Sequence, residues 1–110
     1  MTGSEPPSRG EIWWVRLDKR RPALVIQTDK VRDPRTRSFL VVPLSSRLHL
    51  EGMPGNVRLE ARATRLGKAS IANVYDIQKV FRVDLLERSG ILSPGDMVAV
   101  DVGLRLVLDL

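Results

Sequence analysis

Regular alternation of apolar and polar residues begins at Gly10. In Glu11-Ile12-Trp13-Trp14-Val15-Arg16-Leu17 it predicts a strand with Ile12, Trp14 and Arg16 on one face and Trp13, Val15 and Leu17 on the other. Asp18-Lys19-Arg20-Arg21-Pro22 reads as a charged turn, and Ala23-Leu24-Val25-Ile26 as a second, buried strand. The short spacing makes the two an antiparallel hairpin. Residues 29–37 are polar, contain Pro34 and form a loop. Phe39-Leu40-Val41-Val42-Pro43-Leu44 is a third strand, which Pro43 restricts to a sheet edge or to a bulge near its end. A loop follows through Ser45, Ser46 and His49 to residue 56. Residues 57–61 alternate as a half-exposed strand, Gly67 and Lys68 mark a turn, and residues 70–81 supply one or two more strands. Residues 84–90 carry helix formers before Gly90, which predicts a short helical turn.

The tail gives two conflicting signals. Ser93-Pro94-Gly95-Asp96 is a good helix start, with Ser as N-cap, Pro at the first helical position and an acid in the first turn. From Val98 to Leu110, however, every second residue is apolar, which is the strand period, and Gly103 weakens a helix. Many short strands and few helices predict a mainly β domain, a small barrel or a strongly curved sheet. Its length of 110 residues fits one domain over residues 10–110 behind a flexible leader at 1–9. That leader lacks the apolar stretch of a signal peptide, and no apolar run approaches bilayer length. With no cysteine, disulfides and thiolate metal sites are excluded. A cytoplasmic protein with no membrane partner is expected.

Charge changes the picture further. Eighteen Lys and Arg stand against thirteen Asp and Glu, a net charge of +5, and fourteen of the eighteen cations are arginine. Guanidinium is a planar fork suited to phosphate oxygens, so nucleic acid is one partner this composition suits; a merely soluble basic protein is the other reading. Phosphate-loop, dinucleotide, zinc-protease and serine-hydrolase motifs are all absent. One histidine cannot make a two-histidine nuclease, and scattered carboxylates do not suit a two-metal one. RNA cleavage can nonetheless proceed with little, because the ribose 2′-OH supplies the nucleophile. The protein then needs only to hold the nucleotide in line and to offset charge on the phosphorane, which an arginine and a hydroxyl can do without metal or cofactor.

Three ordered segments carry a resemblance: Arg9-Gly10-Glu11-Ile12-Trp13-Trp14-Val15, Arg21-Pro22-Ala23-Leu24-Val25-Ile26-Gln27, and Val41-Val42-Pro43-Leu44-Ser45-Ser46. With Ser70-Ile71-Ala72-Asn73-Val74 and Ile77, Val80, Leu85, Gly90, Leu92 and Ser93 behind them, they resemble the MazF/PemK family, the toxin half of bacterial toxin–antitoxin pairs. The resemblance covers residues 9–110. It implies a small SH3-like barrel with a C-terminal helix, which turns the tail toward helix. It also implies metal-free, sequence-selective cleavage of single-stranded RNA to 2′,3′-cyclic phosphate and 5′-OH ends. The partners it implies are a second copy of the chain, in a homodimer, and an acidic antitoxin whose tail occupies the RNA groove.

The family's catalytic arginine matches Arg21 and its catalytic threonine matches Ser45, which keeps the hydroxyl and loses the methyl. The bland readings are a turn cation for Arg21 and a strand-end cap for Ser45. Ser46, a neighbouring hydroxyl, and His49, four residues past Ser45, are candidate RNA contacts; as a titratable group His49 is also weighed for catalysis, against a solvated loop residue. Arg16, Lys19 and Arg20 extend a phosphate track or solubilise the hairpin. Of Trp13 and Trp14, one ring is expected in the core and the other outside, at a dimer face. Arg58, Arg62, Arg65 and Lys68 track RNA backbone or solvate a barrel edge. Two features depart from the family: the loop between the first two strands is only Asp18-Lys19-Arg20, without the usual Gly-Ser-Glu run, and Asp76 stands where relatives often have Gln. An acid there weakens RNA binding if it faces inward. The rival functions are a non-enzymatic, gyrase-directed toxin like CcdB and a non-catalytic RNA-binding barrel.

Overall fold

A computed structural model describes residues 6–31, 35 and 37–110. Its elements run β1 (Glu11–Arg16), β2 (Arg20–Val25), β3 (Ser38–Ser45), a 3-10 turn at Leu48–Gly52, β4 (Val57–Leu59), α1 (Ala61–Thr64), β5 (Ser70–Ala72), β6 (Gln78–Phe81), a 3-10 turn at Arg82–Asp84, β7 (Leu85–Ile91) and α2 (Pro94–Leu108). Among the described residues the seven strands form one curled antiparallel sheet in the order β4-β5-β3-β2-β1-β7, and β6 pairs with the first half of β3. No helix among the described residues is long and apolar enough to cross a membrane.

The apolar runs of β2 and β3 are unbroken because, except at the exposed Leu40, both faces of the sheet are covered. Even-numbered residues Ile12, Leu24, Val42 and Leu44 pack with Leu59, Ala72, Val74 and the helix residues Met97, Val100 and Leu104. Odd-numbered Val15, Ala23, Val25, Phe39 and Val41 pack on the other face with Val80 and Leu85. Each fully buried Val, Leu or Ile in these clusters is worth about 1.5–3 kcal/mol. A slip of one residue would exchange the two faces, so packing fixes the register.

Pro43 does not confine β3 to an edge. The strand has β2 on one side and, on the other, β6 as far as Val41 and β5 from Leu44 onward. Pro43 falls where that neighbour changes. Its carbonyl accepts the Asn73 N–H at 3.3 Å, one step past the last β5 pair, Leu44 with Ala72.

Four further expectations need correction. Residues 84–90 are not a helical turn but mostly β7, since pairing of Val15 with Leu85 and Trp13 with Arg88 overrides local helix propensity. The strand expected over 57–61 stops at Leu59, and α1 follows, closed by Arg65 in the left-handed conformation. Strand β2 starts at Arg20, inside the predicted turn. Both tryptophans are half-buried rather than one in and one out: Trp13 packs on the odd-numbered cluster, and Trp14 lies under the Arg20 guanidinium, 4.8 Å from its ring centre.

The tail is a helix, as the cap and the resemblance imply. Ser93 Oγ accepts the Asp96 N–H at 3.2 Å, and Pro94 follows in the first turn. Met97, Val100, Gly103 and Leu104 are buried at helical spacing, while Val98, Val102 and Leu106 lie outward. Aliphatic residues on both faces produced the period of two. Of the expected leader, residues 1–5 lie outside the described residues, as do 32–34 and 36 of the expected loop. Pro7 is buried, and Arg9 donates to the Ile26 carbonyl and pairs with Asp101 of α2, so this end of the leader is part of the domain.

α2 packs closest to the sheet's loops at Gly103, where an added Cβ would overlap the carbonyl oxygen of Gly55. Gly103→Ala would gain helix propensity of about 1 kcal/mol. The overlap with backbone outweighs it, and we expect a net loss of about 1–3 kcal/mol in denaturant unfolding, with α2 displaced.

Candidate active site

The site forms where β2 and β3 part. Leu17 N–H donates to the Lys19 carbonyl and Ile26 N–H to the Leu40 carbonyl. Carried along β2, this alternation turns the ring nitrogen of Pro22 toward β3, so the donor that would bond Leu44 is missing. The ladder stops at Ala23 opposite Pro43. The same register carried two residues further sets Arg21 across from Ser45 on one face, in strands no longer tied together.

Two clefts flank these strand ends. One, of about 450 Å³, is lined by Leu17, Asp18, Arg21, Pro43, Ser45 and Arg47, with Leu44, Leu50, Asn73, Asp76 and Gln78 completing its wall. The other, of about 240 Å³, is lined by Trp14, Lys19, Arg20, Pro22, Ser46 and Lys68, again with Arg21, Ser45 and Arg47 and with Leu44, Leu66 and Ser70. They differ in charge. The larger holds two arginines against Asp18 and Asp76, while the smaller has five cations and no acid in its lining.

Arg21 is partly exposed and held by Asp18, Nε to Oδ1 at 2.7 Å and Nη2 to Oδ2 at 3.0 Å. This uses two of the five guanidinium N–H groups and leaves the far edge for another anion. The hydrogen bond from Arg21, followed by its positive charge, holds the Asp18 carboxyl well below the usual carboxylate range. The same bond, with the charges of Asp18 and Asp76, raises Arg21. Arg21 is therefore a permanent cation and Asp18 a weak base. Ser45 Oγ accepts the Arg47 N–H at 3.1 Å, so it does act on nearby backbone, and its own hydrogen remains available to donate.

Arg21, Ser45, Lys19, Arg20 and Ser46 are thus brought together. Arg20 is shared with Glu87 at 3.0 Å and with the Trp14 ring. Arg16, at the end of β1, and His49, in the 3-10 turn, line neither cleft. Asp76 is exposed but lines the larger cleft, and the Gln78 side-chain amide donates to both its oxygens at 3.1 Å. In the basic run, Lys68 lines the smaller cleft, whereas Arg58 is tied to Glu60 at 3.0 Å. Arg47, Asn73 and Gln78 were not foreseen. For Arg47 a clue existed, since alternation from Pro43 through Ser45 gives it the same face; Asn73 and Gln78 arrive through the β5–β6 turn, which no local pattern reveals.

A curled antiparallel sheet with a C-terminal helix, opened at one strand pair over an arginine and a hydroxyl, defines the class of protein. The chain belongs to the PemK-like, MazF-like toxins of type II toxin–antitoxin systems, which match residues 8–108. Over 111 residues it is 41% identical to the endoribonuclease MazF2 of Mycobacterium bovis and to the endoribonuclease MazF6 of Mycobacterium tuberculosis, covering 94% of this chain and 97% of each relative. The solved Mycobacterium tuberculosis toxin MazF-mt6 superposes with a TM-score of 0.80 at 25% identity, over 91% of this chain and 97% of that one.

The depressed Asp18 carboxyl has a definite pH consequence. Whatever stability the pair contributes is fully present above the ordinary value of 3.8 and is lost only as pH falls below it, through the folded value. Carbon-detected NMR should place the Asp18 midpoint below 3.8 in the native protein and return it close to 3.8 in Arg21→Ala.

Proposed function

We propose that this chain is the toxin of a type II toxin–antitoxin pair and a metal-independent endoribonuclease acting on single-stranded RNA. The observation that carries the reading is that Arg21 and Ser45 line the same two clefts, just past the last paired residues of β2 and β3. Relatives 41% identical over nearly the whole chain and named endoribonucleases support it over a gyrase-directed or purely binding role.

In the proposed step the 2′-oxygen attacks the adjacent phosphorus while the P–O5′ bond breaks. The 2′-hydroxyl proton passes to solvent, and the departing 5′-oxygen takes a proton up. The free edge of the Arg21 guanidinium holds the non-bridging oxygens as they gain charge, and the Ser45 hydroxyl donates a further bond. Arg21 is too strongly protonated, and Asp18 too weakly basic, to be the general base. Arg47, Lys19, Arg20 and Lys68 hold flanking phosphates, with Ser46 beside them. The product is a 2′,3′-cyclic phosphate and a 5′-OH. The reading includes a homodimer working in the cytoplasm, and an acidic antitoxin tail that competes with RNA for the smaller, cationic cleft.

Purified protein incubated in EDTA with a long unstructured RNA should cut it, leaving cyclic phosphate ends. Arg21→Ala should lower the rate about 10³-fold and Ser45→Ala about 10²-fold, with circular dichroism unchanged. Intact RNA, or 3′-OH and 5′-phosphate ends, would sink the proposal.

A further inference from the structure

The two clefts differ in charge and so suit different parts of an RNA strand. A phosphate chain fits the smaller cleft, which is lined by Lys19, Arg20, Arg47 and Lys68 without an acid. In the larger cleft the Asp76 carboxylate stands in the wall between Asn73 and Gln78, and a phosphate beside it would be repelled. What suits that wall is a group that donates hydrogen bonds, and in unpaired RNA such groups lie on the base edges. Leu17, Pro43 and Leu50 give the same cleft apolar surface for the faces of a ring.

We infer that Asp76 is a specificity-determining residue that selects guanine at one position next to the scissile bond. The inference rests on the RNA-cleaving reading above. Guanine presents two adjacent donors, N1–H and the 2-amino group, which a carboxylate can accept in parallel. Uracil offers one N–H between two carbonyl oxygens. Cytosine and adenine each offer an amino group beside a ring-nitrogen lone pair, and all three would set an acceptor against the carboxylate. The Gln78 amide donates to both Asp76 oxygens at 3.1 Å, so its nitrogen sits across the fork of the carboxylate, and guanine would take that fork by turning the Gln78 side chain aside. Gln78 thus holds the carboxylate edge that the two guanine donors would occupy.

The test uses the full-length protein and sequenced fragment ends of a mixed-sequence RNA. Native protein should show guanine enriched at one position beside the cut. Inosine there, which lacks the 2-amino group, should slow cleavage about tenfold. Asp76→Asn should bring guanine and inosine to within about twofold, and Asp76→Glu, which keeps the carboxylate, should retain the preference. No guanine-enriched position, or an undiminished inosine penalty in Asp76→Asn, overturns the inference. Should no RNA be cut at all, the nuclease reading fails separately. Fluorescence anisotropy with an oligouridine carrying one guanine or one inosine still decides the inference. A guanine preference in binding that disappears in Asp76→Asn supports it, and equal affinities for the native protein overturn it.

Discussion

A hydrogen-bond donor that Pro22 does not have is the constraint on which this structure turns. In a regular hairpin the β2–β3 ladder would run on through Pro22 and Leu44 and seal the strands together. The pyrrolidine nitrogen ends it one step earlier, after Ala23 and Pro43. Arg21 and Ser45 keep the facing positions that the register assigns them but lie beyond the last bonded pair. That register is itself imposed from a distance, by apolar clusters on both faces of the sheet that a one-residue slip would scramble. Core packing thus aims the two side chains, and one missing N–H leaves room between them.

The electrostatics follow from the same strand ends. Asp18, supplied by the short β1–β2 turn, grips one edge of the Arg21 guanidinium and fixes its plane. Asp76 adds a second negative charge on this side, and Arg47 adds a positive one shared by both clefts. The outcome is a site that is cationic where a polymer backbone would run and mixed where a base would be read.

Much of this was legible in the chain. The first three strands follow from alternation and apolar runs, and the Ser93-Pro94 cap starts α2 where it stands. What failed, failed for physical reasons. Strand β7 exists because β1 needs a partner, which Asp84-Leu85-Leu86-Glu87 cannot announce locally. The strand-like period of the tail came from Val98, Val102 and Leu106 on the outer side of a helix that also buries Val100 and Leu104. For the site, Arg21 and Ser45 were reached by resemblance, because their meeting depends on a register that periodicity alone does not supply. Asn73 and Gln78 were invisible because the turn that carries them is brought over the cleft only by the change of partner at Pro43.

The placement of the clefts on either side of the same parted strands has a geometric consequence. Pro43 belongs to one cleft and Trp14 to the other, while Arg21, Leu44, Ser45 and Arg47 belong to both. A ligand filling both must therefore pass across these four residues. A lone ribonucleotide chain is pliable enough to follow a path from one adjoining cleft to the other, whereas a double helix is stiff over tens of base pairs. On the proposed reading, compliance of the strand would favour unpaired over paired nucleic acid before any base is inspected.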